Sequence, residues 1–190
     1  MATKNVGITL LSIVAAIAAF IVSNIWAQSL QEKVNSAHRA REGWNTTYQS
    51  VKSKEIDIGA GTPADLPAAQ QRLRQRLQML EELRDDETPL WQTEGTTRDE
   101  FQAASTAMDR EQKLETRSQK IDSLESATAL DKDADKLLQY SLGVGVLMDE
   151  DVRRWAEGLE KKESRVRWAG YILSILALLV AGIAQLSGKG

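Results

Sequence analysis

His38 is the single histidine of this 190-residue chain, and there is no cysteine. A lone imidazole can act as a general base or a metal ligand. Here it lies in AHRARE, among bases on the polar part of a predicted helix, and reads as a solvated side chain. DKDAD at 131–135 has the opening of a calcium loop. That loop demands glycine at its sixth position and glutamate at its twelfth. Lys136 and Leu142 stand there, so the acids read as a helix-start cluster. GVG at 143–145 follows no strand, which excludes a dinucleotide or phosphate loop. Asn45-Thr46-Thr47 is a glycosylation sequon that matters only in a secretory pathway. No Ser–His–Asp set can be assembled. Without cysteine there is no disulfide, thiolate metal site, cysteine nucleophile or lipoprotein anchor. No catalytic, metal or cofactor site is expected, and the chain does not read as an enzyme.

What must position the remaining polar features is a pair of uncharged runs. Val6–Trp26 and Trp168–Gly188 carry no Asp, Glu, Lys or Arg. A helix of about 20 residues rises about 30 Å, the thickness of a bilayer's hydrocarbon core. The sequence therefore predicts transmembrane helices over 6–27 and 168–187, with tails at 1–5 and 188–190. AIA at 16–18 resembles a signal-peptide cleavage site, but the apolar run continues well past it. Trp26, Trp168 and Tyr171 fall at the ends of the runs that border the middle segment, where amphipathic rings favour the membrane interface. Beside them lie Lys161, Lys162, Arg165 and Arg167, a basic cluster suited to snorkelling or to anionic lipid headgroups. Small residues recur at four-residue spacing in both runs, Ala15 and Ala19 in the first and Gly170 and Ser174 in the second, as in helices that pack closely in lipid.

Lys4 and Lys189 apart, all charge lies between Glu32 and Arg167, where 22 bases face 27 acids for a net of −5. That balance excludes a nucleic-acid footprint. Over 28–167 the apolar spacing is helical. Leu30, Val34, Ala37, Trp44, Tyr48, Val51 and Ile58 form a heptad seam interrupted by Arg41 and Glu55. IGAGTPADLP ends that helix. Asp65 caps a second, with Pro67 in its first turn and a stripe of Leu73, Leu77, Leu80 and Leu83. Thr97 opens a third through a capping box with Glu100, and Phe101, Ala104, Met108, Leu114, Ile121 and Leu124 line it. A fourth starts near Leu130. Gly143 and Gly145 are candidate hinge residues, with a break at 143–148 and a fresh start at Asp149, because acids precede bases there. Trp44 and Trp155 sit on apolar stripes of the first and last helices and are candidates for an inter-helix pocket, against a plain reading as packed core.

The expected fold is all-α: two transmembrane helices flanking an antiparallel helical domain, a four-helix bundle or coiled coil. Four rods running away, back, away and back return the chain to the membrane. Basic residues near the spans concentrate on the middle segment, which by the positive-inside tendency puts it in the cytoplasm of a two-pass protein of the cell or inner membrane. The expected partners are the lipid bilayer with anionic headgroups, and a second copy or another helical protein. The expected function is a scaffold. The order of span, helical segment and span is similar in layout to the transmembrane sensing part of bacterial chemoreceptors and related kinases. That resemblance implies a ligand between helices that displaces the last one, although no family motif carries it. A pore is disfavoured, since Ser12, Ser23 and Asn24 make no polar stripe.

Overall fold

The computed structural model describes residues 2–58 and 61–187. Its elements are α1 (Ala2–Ile58), α2 (Leu66–Trp91), α3 (Arg98–Ser118) and α4 (Leu124–Ser187), with no strand among the described residues. The tail 188–190, and Gly59 and Ala60 of the expected stop at 56–67, lie outside them.

Local chemistry explains the starts of α2, α3 and α4 and the end of α2. The Asp65 carboxylate accepts the Ala68 N–H at 2.9 Å, satisfying a donor that the first turn of α2 leaves open. α2 continues through Pro89, and its Leu90 carbonyl near the helix end accepts the hydroxyls of Thr93 at 2.8 Å and Thr96 at 2.6 Å. The capping box of α3 is closed both ways: the Thr97 N–H donates to Glu100 at 2.9 Å and the Glu100 N–H to the Thr97 hydroxyl at 3.4 Å. α4 begins at Leu124, earlier than the spacing predicts, where the Ser123 hydroxyl accepts the Ser126 N–H at 3.3 Å. Leu124 thus belongs to α4, not to the third helix.

α4 then runs unbroken to Ser187, so the break expected at 143–148 and the new start at Asp149 are not present. The acids-then-bases order that suggested a start is used within and between helices instead. Glu150 holds Arg153 at 2.6 Å and Arg154 at 3.0 Å, and Asp149 reaches across to α1. A glycine costs a helix interior only about 1 kcal/mol, which packing offsets readily.

The chain divides into two compact units. One joins Met1–Asn35 with Glu157–Gly190, and the other is Ser36–Ala156. In the second unit a single cluster of buried residues draws on all four helices, including Trp44 and Val51 of α1, Leu80 and Leu83 of α2, Ala104 of α3 and Leu138 and Met148 of α4. The α1 seam reads as predicted: Ala37, Trp44 and Val51 are buried and Tyr48 and Ile58 pack against the cluster. The buried stripe of α2 is longer than its leucines suggest: Ala69, Leu73, Arg76, Leu80, Leu83, Glu87 and Leu90, at alternating spacings of four and three. In α3 the buried residues are Ala104, Ala107, Glu111 and Leu114. Phe101 and Met108, expected to line that helix, are exposed, because the face completed by Glu111 is the one turned inward.

In the first unit α1 meets α4 through small residues. Gly170 lies against the Ser23 side chain and the Ala19 carbonyl, so a Cβ there would collide with Ser23. The Ser174 hydroxyl donates to the Ala16 carbonyl at 3.0 Å, and Phe20 packs 6.0 Å from Tyr171. α1 and α4 each contain a stretch long and apolar enough to cross a membrane, and only 11 % of each such stretch is buried. A core helix that is apolar all round would be covered by protein. These are not.

Candidate functional site

Polar residues that interrupt the buried stripes of the Ser36–Ala156 unit are its most specific chemistry. Arg41 of α1 forks onto Asp149 of α4, with Nε to Oδ1 at 2.8 Å and Nη2 to Oδ2 at 3.3 Å. Glu55 accepts the Gln139 amide and lies 3.2 Å from the Lys52 ammonium. The two polar positions of the α1 seam are thus matched from elsewhere. Arg76 of α2, buried, pairs with buried Asp131 of α4 and lies 3.1 Å from Asp135. Arg72, one turn earlier, approaches Asp131 at 3.6 Å. DKDAD is therefore no helix start. Its first acid is a buried anchor, its second pairs with Arg117 at 3.6 Å, and its third faces Arg76. Arg72, Arg76, Asp131 and Asp135 line a half-open cleft of about 730 Å³ bordered also by Lys52, Ile56 and Lys132.

A second buried polar group is built differently. Glu87 of α2 and Glu111 of α3 are each 3 % exposed. Arg84 donates to Glu111 at 3.0 Å, while Oε1 of Glu87 has no hydrogen-bond partner. Desolvation, reinforced by the neighbouring Glu111, pushes Glu87 up to about 8. Burial also lifts Glu111 to about 7 against the pull of Arg84, with Glu115, Glu81 and Asp85 adding to the rise. Near neutral pH this site holds a proton, and the Arg84 guanidinium is spent on Glu111 rather than Glu87. Nearby on the same helix, the Trp91 indole N–H is also buried without an acceptor, its ring edge-on to Phe101 at 6.2 Å. At the surface the logic is opposite: hydrogen bonds from Arg153, then Arg154, hold Glu150 down at about 2.

Trp44 and Trp155, paired by the sequence in one pocket, are seated on separate glycines. The Trp44 ring, 1 % exposed, lies on Gly145 and packs 5.9 Å from Tyr48. Trp155 covers Gly95, where an added Cβ would come within 2.9 Å of it. Each indole fills the space a side chain would need, so these are closed contacts. Gly145 is thus a seat for an aromatic ring, whereas Gly143 has open space around it. The residues expected at a membrane interface are mostly exposed. Trp26 and Trp168 are 65 % and 66 % exposed, Tyr171 stands edge-on to Trp168 at 6.4 Å, and Lys161, Lys162, Arg165 and Arg167 are exposed.

Sequence reasoning missed Arg76, Glu87, Glu111 and Asp131. The signal was available only by extending the four-and-three rhythm through polar residues. Among the described residues no cluster of three or more His, Cys, Asp or Glu could hold a metal ion, and His38 lies exposed on α1. No family model, curated relative or solved structure matches the chain.

Proposed function

We propose that this chain is a two-pass integral membrane protein whose middle segment, residues 28–167, serves as a non-enzymatic scaffold facing the cytoplasm. In this reading the segment is an antiparallel helical bundle that lies between the two spans in sequence. One observation supports this most. Arg41, Arg76 and Arg84 are each tied to an acid on another helix, while the two apolar stretches stay uncovered. A scaffold needs rigid helices and exposed helix surface for a second copy or another helical protein. Gly143 has open space about it, with Val146 and Leu147 exposed beside it.

The test is a cysteine at exposed Ser50 in this cysteine-free chain, probed with a membrane-impermeant thiol reagent. Intact cells are expected to leave it unlabelled and permeabilised cells to label it. Labelling from outside overturns the cytoplasmic assignment. Crosslinking in native membranes then tests self-association, and a strictly monomeric result leaves only a different partner.

A sensor module is the second reading, favoured by the charged cleft beside Arg72, Arg76 and Lys132. Thermal stabilisation of the full chain by a small carboxylate, abolished by Lys132→Gln, would favour it over the scaffold. A pore gains no support from the polar residues of the spans. Ser23 and Asn24 both bond to the Phe20 carbonyl, at 3.0 and 2.9 Å, and Ser174 bonds to the helix backbone.

A further inference from the structure

The four bases that precede the apolar stretch of α4 are of two kinds. Arg167 is tied to Glu163, Nε to Oε1 at 2.6 Å. Lys161, Lys162 and Arg165 are exposed and have no ion pair or hydrogen bond of their side chains to other described residues. On a helix of 3.6 residues per turn, neighbours three and four apart share a face. Lys161, Arg165, Trp168 and Ile172 follow at spacings of four, three and four, with Lys162 flanking Arg165. This face begins as unneutralised positive charge, passes through an exposed indole and continues as exposed hydrocarbon. Lys33, the nearest base after the apolar stretch of α1, is already engaged within the protein. The patch is therefore confined to α4.

We propose that Lys161, Lys162 and Arg165, with Trp168 beneath them, form a binding site for the phosphate headgroup of an anionic phospholipid. This rests on the reading of α4 as a membrane span. The occupant must be an anion that also covers an apolar surface, because the charged face runs without a polar gap onto Ile172 and the uncharged stretch beyond. A lipid supplies both parts in the same order along the helix. Soluble polyanions would meet the hydrocarbon with nothing to bury it. Each base adds attraction worth about a fivefold gain in occupancy at such a surface. Arg167 contributes little, since Glu163 already cancels it.

The experiment reconstitutes the full chain into nanodiscs of phosphatidylcholine with a minor fraction of phosphatidylglycerol. Lipids retained after mild detergent extraction are then counted by native mass spectrometry. The expected result is retained phosphatidylglycerol in excess of its mole fraction, weakening with salt. Joint substitution Lys161→Gln, Lys162→Gln and Arg165→Gln should lower its affinity about a hundredfold. Joint substitution Glu163→Gln and Arg167→Gln, which removes the ion pair without changing the net charge, should change it less than twofold. The four bases are exposed, and an unchanged helical circular-dichroism spectrum verifies that each variant folds. Retention in proportion to mole fraction, or a loss in the Glu163→Gln, Arg167→Gln variant as large as that of the triple variant, overturns the site while leaving the span intact. A chain that refuses the discs and stays dissolved without detergent overturns the span, and the site with it.

Discussion

Arg76 and Glu87 occupy corresponding places on the buried stripe of α2, three helical turns apart, and meet opposite fates. Arg76 finds two carboxylates on α4, Asp131 and Asp135. Glu87 faces another carboxyl, Glu111, whose one close guanidinium is Arg84 at 3.0 Å. One charge is buried as an ion with its counter-ions, and the other is buried by keeping its proton. What stands opposite decides the outcome, not the polarity of the residue itself. A buried pair gives little net stability but is costly to break, because removing one partner strands the other. A buried acid with no base to spare makes the fold sensitive to pH.

The largest effect should follow from breaking the ion-paired cluster. Arg76→Ala leaves Asp131 buried without its closest counter-charge and is expected to destabilise the full chain in detergent by about 3–5 kcal/mol, read by denaturant unfolding. The comparison sharpens with a double variant. Arg76→Leu with Asp131→Leu should cost much less than Arg76→Leu alone, and additive losses would mean that the pair does not interact.

Next comes the protonated cluster. Folded Glu87 keeps its proton up to about pH 8, whereas the unfolded chain releases it near 4.5. Between those values the folded state binds more protons. The contribution is fully present below the lower value and is lost as pH rises through the upper one. Stability should therefore fall as pH rises through neutrality. Glu87→Gln, neutral at every pH, should flatten that slope and stabilise the protein at pH 8 by about 2–3 kcal/mol. Parallel stability–pH curves for the two proteins would remove Glu87 as the cause.

The smallest effects separate the two glycines. A Cβ on Gly145 would strike the buried Trp44 ring, so Gly145→Ala should cost about 1–3 kcal/mol through overpacking. Gly143 has open space, so Gly143→Ala should add about 0.5–1 kcal/mol of helix stability. Equal responses in thermal unfolding would restore the reading of both as hinge residues.

Much of the secondary structure was legible because its causes are local. Asp65, Thr97 and Glu100 cap within one turn of themselves, and apolar periodicity turned Trp44 and Val51 inward. The same locality misled at Asp149, where acids before bases imitate a helix start. Only the partner Arg41, more than one hundred residues away in sequence, reveals what that acid does. Phe101 was misplaced for a related reason. Hydrophobicity alone favoured it over Glu111, yet the face of α3 is chosen by what it packs against.

Sequence by itself determined the two uncharged ends, the caps and the four-and-three spacing of the stripes, since each depends on residues within a few turns. Tertiary structure alone decided which polar stripe positions become ion pairs, which keeps a proton, and which glycine seats an indole. Spacing says which way a side chain points. It does not say what another helix has brought to meet it.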